Sequence, residues 1–549
     1  MAPSIDADGN SRRGILFTVN IRNVGLAVFA GALLGAGFLV QALWPLVLVG
    51  IVPLLVALRG ASLARSCAYG WLASWVISLF ALAPILWGSL PLDWYGFSSV
   101  WSQWFGVGFS WLLMSAVFAL GGALFGALVR WYATSSSLEI LVIPSAWVLS
   151  EWAGAYLFSI IGAGSGSLIG AHFTLSHIGY ILANDSALLQ LAQLGDVYAL
   201  SFAAVSLGTL IFRIISTPSR HEKQLLHALC VALFLIWAAA HPFVSFLSGA
   251  SRARAEHSAD ALSIAAVSRY APPLFLPSPE EETRRFDALR ALTTSLRDID
   301  VLVFPENAVF LRTIASSGQT DILRELEKTG NAHPPLVIDS EDIRQENGQL
   351  YSRLAYFGTG ADPIYSYKEF LLPVGEYFPY VYHYGLQAIG GGAFLQKVLD
   401  VRGYAKGPYT NVTSADGVVL AARFCDEVMS PELYRKQVAE GAHVLINLSS
   451  QSWFHGSRMV YEEIKQVARV RAVSLGRSYV QSNTMAPAFA LDQYGQVVGE
   501  TRWGEMTVLQ VRVPALTAKT LASRAGQYIL FVPLAVLFLG LRSGRRVGP

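Results

Sequence analysis

The chain has 549 residues, of which 53% are hydrophobic and only 14% are charged, and its mean hydropathy is +0.44. Soluble domains average roughly 25% charged residues, so this composition implies membrane segments. The net charge of +2 gives no support to a nucleic-acid partner, which would need clustered basic charge. Three scattered cysteines without metal-site spacing argue against a disulfide framework and against a Cys/His metal centre.

Composition divides the chain into three predicted parts: a membrane domain over 1–248, a soluble domain over 250–520, and a last membrane helix with a tail over 524–549. A membrane-crossing helix needs about 20 mostly apolar residues. Eight stretches meet this need, namely 24–41, 43–58, 67–90, 104–129, 138–156, 193–215, 225–247 and 526–542. The first two are short and nearly contiguous. We expect two spans there, although one re-entrant hairpin or a cleaved signal peptide would also fit the pattern.

Charge between the spans predicts their orientation. Basic residues occupy alternate loops and both termini: Arg12, Arg13, Arg22, Arg59, Arg65, Arg130, Arg213, Arg220, Lys223, Arg542, Arg545 and Arg546. The opposite loops, near 91–103 and 157–192, hold no Lys or Arg. Because basic loops stay in the cytoplasm, the seventh span should deliver the soluble domain to the outside. The glycine-rich run "IGAGSGSLIG" within the second of these loops is predicted to be flexible and close to that domain.

The soluble domain alternates strand-like and helical segments, which predicts an α/β fold. Three reactive side chains follow predicted strands: Glu306 after "VLVFP", Lys368 after "IYSY", and Cys425 after "GVVLAARF". Active sites of α/β domains gather at strand ends. A thiol with pKa near 8.5 is a poor nucleophile until it is activated. A carboxylate could take its proton, and a lysine could stabilise the thiolate and an oxyanion.

Each of these residues has an ordinary structural explanation when it is taken alone. A carboxylate at a strand end is usually a turn or cap residue, and a buried cysteine is usually inert. The inference of an active site therefore rests on the presence of all three residues in one domain, and no single residue would support it.

Five motifs, in order, resemble the nitrilase superfamily: "VLVFPEN", "YKEFLLPVGEYFP", "RFCDE", "LINLSSQSWF" and "ARVRAVSLGRSYVQSN". With the flanking membrane spans, nearly the whole chain resembles the apolipoprotein N-acyltransferase family. The resemblance implies a bundle of about eight transmembrane helices plus a nitrilase-like α-β-β-α sandwich. It also implies a catalytic triad in which Glu306 is the general base, Lys368 the thiolate and oxyanion stabiliser, and Cys425 the nucleophile.

Three supporting residues follow from the same resemblance: Glu376 in "GEY", Glu427 two residues after the cysteine, and Trp453 in "SWF". The ordinary alternatives are a turn carboxylate for Glu376 and core packing for Trp453.

The implied activity is transfer of a fatty acyl chain from a phospholipid, through a Cys425 thioester, to the N-terminal amine of a lipoprotein. The expected location is the bacterial inner membrane, with the catalytic domain on the periplasmic side. No metal or cofactor is expected, since no Walker or HExxH motif occurs. The aromatic, glycine-rich run 380–396 is predicted to be an arm lying on the membrane surface, the alternative being an ordinary loop.

Several positions depart from the family pattern. Asp426 follows the nucleophile where a tyrosine is usual, Ser450 and Gln451 replace an Asn-Asp pair, and Ser352 replaces an asparagine after Tyr351. Two alternatives therefore stay open: an amide-bond enzyme for another membrane peptide, as in pilin maturation or cyclisation, and an inactive scaffold. Because side chains alternate along a strand, Asp426 is predicted to face away from the thiol and Glu427 to share its face.

Overall fold

The structure, a computed structural model, describes residues 20–93, 99–132, 138–258, 261–273, 278–345, 348–358, 363–393, 395–396, 399 and 403–544. Arg12, Arg13, Arg545 and Arg546 of the predicted cytoplasmic segments lie outside these residues, as do positions 94–98 of the first basic-free loop and position 394 of the predicted arm.

The helices, in chain order, are α1 (Ile21–Leu39), α2 (Val47–Leu58), α3 (Leu63–Gly88), α4 (Val100–Phe118), α5 (Leu120–Tyr132), α6 (Glu139–Ile161), α7 (Ser186–Leu189), α8 (Ala192–Ser216), α9 (Arg220–His257), α10 (Pro279–Thr293), α11 (Phe310–Ser317), α12 (Thr320–Glu327), α13 (Tyr380–Ala388), α14 (Pro431–Ala439), α15 (Arg458–Leu475), α16 (Leu521–Ala525) and α17 (Phe531–Gly544). The strands are β1 (Ala261–Arg269), β2 (Val301–Val303), β3 (Leu336–Arg344), β4 (Leu350–Phe357), β5 (Ile364–Tyr367), β6 (Val412–Thr413), β7 (Val419–Phe424), β8 (Val444–Ser450), β9 (Ser478–Thr484), β10 (Phe489–Leu491), β11 (Val497–Glu500) and β12 (Thr507–Pro514).

Eight helical stretches of the described chain are long and apolar enough to cross a membrane, and they coincide with the eight predicted spans. The first two are separate, Ile21–Leu39 and Gln41–Leu58, and each reaches at least 18 residues. At 1.5 Å per residue, 18 residues extend about 27 Å, close to the thickness of the hydrocarbon layer.

Small residues allow the membrane helices to pack closely. A Cβ atom on Gly70 of α3 would lie 2.1 Å from the carbonyl oxygen of Gly122 on α5, and one on Gly126 would lie 2.0 Å from the carbonyl oxygen of Ser66. Membrane helices lack a hydrophobic force between them, so such backbone approach is a main source of their association.

The α/β domain is built on two half-sheets that pack face to face. The strand order is β5-β4-β3-β2-β1-β9-β8-β7-β6, with β12 antiparallel to β1 and with β10 and β11 forming a hairpin beside β9. One apolar core between the halves includes Ile264, Val303, Ile446 and Val480. The outer face of one half packs against α10 to α12, and the outer face of the other packs against α14 and α15. This is the predicted α-β-β-α sandwich.

The membrane helices and the sandwich contact each other directly. Helix α15 packs against α8 and against the 3-10 helix Ile178–Asn184. The glycine-rich run also reaches the sandwich, because Gly164 forms a β-bridge with Pro379 and the Tyr380 N–H donates to the Ala163 carbonyl at 2.8 Å. The predicted closeness of this loop to the soluble domain is confirmed.

Candidate active site

The three reactive residues come together just beyond the ends of three strands. Glu306 lies in the loop after β2, Lys368 directly follows β5, and Cys425 directly follows β7. The strands are slightly shorter than the sequence pattern indicated, ending at Val303 and Phe424. The Lys368 Nζ lies 3.7 Å from Glu306 Oε1.

The ammonium group of Lys368 is the centre of the site. It lies 2.7 Å from Glu376 Oε1 and 2.5 Å from Asp426 Oδ1, in addition to its contact with Glu306. The lysine side chain is only 2% exposed. Glu376 is itself held by the Leu372 N–H, which donates to its second oxygen at 2.8 Å. Three carboxylates therefore share one buried cation.

Burial controls the protonation of this cluster. It raises the pKa of Glu306 to about 8, an effect that the Lys368 charge opposes and the neighbouring carboxylates reinforce. Burial alone would lower the pKa of Lys368, but attraction to Asp426, Glu376 and Glu306 raises it well above its ordinary value. The lysine is thus a permanent cation, whereas Glu306 can gain or lose a proton near neutral pH.

The thiol of Cys425 is neutral in this environment. Burial raises its pKa, and the charges of Glu306 and Asp426 raise it further, while Lys368 lowers it. The Ser449 hydroxyl donates to Sγ at 3.4 Å, and the Asn447 side-chain amide donates to the Cys425 carbonyl at 3.1 Å. A thiol held in this way needs a nearby base before it can attack a carbonyl carbon.

The expected orientation of Asp426 is wrong. The strand ends at Phe424, and Cys425–Met429 forms a 3-10 helix, so the alternation of strand side chains does not apply. Asp426 is buried, bonds to the Lys368 ammonium, and contributes to the raised pKa of the thiol. Its second oxygen, Oδ2, has no hydrogen-bond partner among the described residues.

Glu427 joins two segments of the site rather than contacting the ammonium. Its Oε1 accepts from the backbone N–H groups of the two residues after Lys368, at 2.9 and 3.1 Å. Its Oε2 accepts from the Phe424 N–H at 3.1 Å, at the start of the turn that carries Cys425. The carboxylate therefore holds the lysine-bearing and cysteine-bearing segments side by side.

The departures from the family pattern lie around the same site. The Ser450 carbonyl is 4.0 Å from Cys425 Sγ, and the Ser352 carbonyl accepts from the Lys368 N–H at 2.9 Å. Gln451 is buried, and its side-chain oxygen has no hydrogen-bond partner in the part of the chain that the structure describes. Trp453 is half-buried in the short 3-10 helix that follows β8.

Sequence reasoning did not identify Ser449 or Asn447 as site residues. Both lie on β8, whose seven residues are all buried. The available signal was the polar content of "INLSS", because buried polar side chains require specific partners.

Comparisons with known proteins cover both parts of the molecule. A family model for carbon-nitrogen hydrolase matches residues 264–522, and one for the apolipoprotein N-acyltransferase N-terminal domain matches residues 30–210. Apolipoprotein N-acyltransferases from Photobacterium profundum, Shewanella oneidensis and Azotobacter vinelandii are 24%, 25% and 26% identical to the chain. These alignments cover 95%, 87% and 95% of this chain and 96%, 93% and 95% of the relatives.

Two solved structures are similar to about half of the chain. One is an amidase of the nitrilase superfamily from Nesterenkonia, with 17% identity, a TM-score of 0.34, and coverage of 49% of this chain and 95% of that one. The other is a carbon-nitrogen hydrolase from Helicobacter pylori, with 12% identity, a TM-score of 0.34, and coverage of 52% and 94%.

Proposed function

The chain belongs to the apolipoprotein N-acyltransferase family, and on this premise we propose that it moves a fatty acyl chain from a phospholipid to the N-terminal amine of a lipoprotein. The observation that carries the proposal is the meeting of Glu306, Lys368 and Cys425 in one buried cluster. In this proposal Glu306 is the general base, Lys368 stabilises negative charge, and Cys425 is the nucleophile.

The first half-reaction forms a thioester. Glu306 takes the proton from the Cys425 thiol, and Sγ bonds to the carbonyl carbon of the phospholipid ester. The Lys368 ammonium stabilises the negative charge that develops on the sulfur and on the carbonyl oxygen. The ester C–O bond then breaks, and Glu306 returns the proton to the departing oxygen, which releases a lysophospholipid.

The second half-reaction forms an amide. The neutral α-amine of the acceptor attacks the thioester carbon and loses one proton to Glu306. The C–S bond breaks, and that proton returns to Sγ, which restores the thiol. A pKa near 8 suits Glu306 to both directions of this proton transfer, since a base whose pKa is close to the working pH can both accept and release a proton.

Helix α13 supports a lipid substrate. This helix forms the first part of the predicted arm and lies between Lys368 and Cys425 in the chain. It exposes large side chains that include Tyr380, Val381 and Tyr384. Its Tyr382 ring packs edge-on against Phe109 of the membrane helix α4. An apolar surface beside a membrane helix is suited to contact the bilayer from which the acyl donor comes.

We further propose that the chain lies in the bacterial inner membrane with the α/β domain on the periplasmic side. The basic residues of alternate loops support this orientation. The phospholipid would reach the site from the outer leaflet, and the acceptor would be a lipoprotein or peptide anchored in the same leaflet.

The proposal is tested by mass spectrometry of the purified protein after incubation with phospholipid vesicles. An acyl adduct on Cys425, absent from Cys425→Ala and transferred to an added lipopeptide, supports acyl transfer. An adduct that forms only with an unacylated peptide would instead support a related amide-bond enzyme. The absence of any adduct under both conditions would support an inactive scaffold.

A further inference from the structure

The end of the turn that begins with Cys425 is held by the membrane domain. The Thr174 hydroxyl, in the loop between α6 and α7, donates to the Met429 carbonyl at 2.6 Å. In the same loop, His172 Nδ1 lies 2.8 Å from the Ser430 hydroxyl. The start of the turn, in contrast, is held within the α/β domain through Glu427. The turn is therefore fixed from two sides by two different parts of the molecule.

Arg471 on α15 supplies the remaining contacts to this turn. Its guanidinium donates to the Val428 carbonyl at 2.9 Å and to the Met429 carbonyl at 3.1 Å. The side chain is completely buried, and it is anchored on the membrane side by the Tyr180 hydroxyl at 2.5 Å and by an ion pair with Asp196. A planar guanidinium has five N–H donors in a fixed arrangement and can bind both sides at once, whereas a lysine ammonium has only three.

Asp196 adopts a backbone conformation that is unfavourable for every residue except glycine. Its φ is 57° and its ψ is −149°, and it interrupts α8 near the start of that helix. Such a conformation is strained and persists only where surrounding contacts enforce it. Here the strain directs a carboxylate out of a membrane helix toward Arg471.

We propose that Asp196, Arg471 and Thr174 are positioning residues for Cys425, so that the packing of the membrane domain controls the reactivity of the thiol. They act through the Val428 and Met429 carbonyls and not by contact with the reacting atoms. The proposal rests on the proposed function in one respect, namely that Cys425 is the nucleophile. The membrane domain would then help to position the catalytic residues and would also hold the catalytic site at the bilayer.

A matched pair of substitutions separates positioning from general stability. Thr174→Val keeps the shape of the side chain and removes the hydroxyl, whereas Thr174→Ser keeps the hydroxyl. Arg213→Gln is the control, because Arg213 lies at the opposite end of α8 in an ion-paired cluster with Glu139 and Glu222. It should lower the melting temperature without changing the chemistry of Cys425.

Two rates are measured on the full-length protein in phospholipid nanodiscs, together with the melting temperature. The first is the single-turnover rate of acyl-enzyme formation, and the second is alkylation of Cys425 by iodoacetamide, resolved from Cys67 and Cys230 by peptide mapping. Thr174→Val removes the hydrogen bond to the Met429 carbonyl and the one with the Tyr180 hydroxyl, and it should lower the acylation rate about threefold to tenfold. Thr174→Ser should retain most of the rate. Asp196→Asn, which breaks the ion pair, should lower it about tenfold to a hundredfold.

Equal acylation rates in Thr174→Val, Thr174→Ser and the unmodified protein would overturn the proposal, as would an equal loss in both threonine variants. A loss in Arg213→Gln as large as that in Thr174→Val would also overturn it, because stability alone would then explain the effect. If the unmodified protein forms no acyl-enzyme but alkylation of Cys425 still changes in Thr174→Val and not in Thr174→Ser, the proposed function fails and the positioning role stands.

Discussion

Asp426→Asn is expected to move the pH dependence of acyl-enzyme formation toward lower pH. Acylation requires Glu306 in its ionised form, so the rate rises as the pH passes through the pKa of that group. The negative charge of Asp426 is one of the causes that raise the pKa of Glu306 to about 8. Asparagine removes this charge and keeps the size of the side chain, and it also frees Lys368 to pair more strongly with Glu306.

The size of the shift follows from two distances. Asp426 Oδ1 and Glu306 Oε1 lie 2.5 and 3.7 Å from the Lys368 Nζ, so they are at most about 6 Å apart. With an effective dielectric constant of about 20, two unit charges at that separation repel by about 3 kcal/mol, which corresponds to roughly two pKa units. The same charge also interacts with the lysine, and burial raises the pKa of Asp426 itself to about 7, so its charge is lost in the lower part of the pH range. We therefore expect a downward shift of about one to two units.

The assay is the initial rate of acyl-enzyme formation between about pH 6 and pH 9, followed by rapid quenching and intact-protein mass spectrometry. Glu369→Gln is the control, since Glu369 is adjacent to Lys368 in the chain but pairs with Arg423 and Lys436 instead. Its profile should match that of the unmodified protein. Superimposable profiles for Asp426→Asn and the unmodified protein, or a shift to higher pH, would refute the electrostatic reasoning.

Three further outcomes are expected. Glu306→Gln should lower acyl-enzyme formation by at least about a hundredfold without lowering the melting temperature at neutral pH. Burial raises the pKa of Glu306 to about 8, so above the ordinary pKa of a glutamate this carboxyl destabilises the folded state, and a neutral amide removes that cost. A lower melting temperature or an unfolded variant would contradict this. A reporter fused after residue 223 should be cytoplasmic and one fused near residue 255 periplasmic, and the reverse result would remove the proposed mechanism. Tyr384 and Ile389 are 64% and 81% exposed. Replacing both with serine should raise the KM for vesicle phospholipid about tenfold with kcat unchanged. An unchanged KM would show that α13 does not contact the bilayer.

Features that depend on local composition could be predicted from the amino-acid sequence alone. Eight apolar stretches of sufficient length predicted eight helices, because a helix that crosses a bilayer must satisfy its backbone internally and present apolar side chains along about 20 residues. Alternating strand and helix patterns predicted an α/β domain, and the family resemblance implied its sandwich form. The reactive residues Glu306, Lys368 and Cys425 were found from their position after strands. These properties depend only on short segments of the chain.

Which side chains meet depends on the packing of distant segments. The conformation of the Cys425 turn was missed because the Glu427 carboxylate caps the Phe424 N–H and ends the strand one residue before the thiol, which turns Asp426 toward Lys368. The Arg471–Asp196 ion pair joins residues that are 275 positions apart, in a soluble helix and a membrane helix. Such contacts depend on how two domains pack, and no local pattern of hydrophobicity or charge encodes that packing.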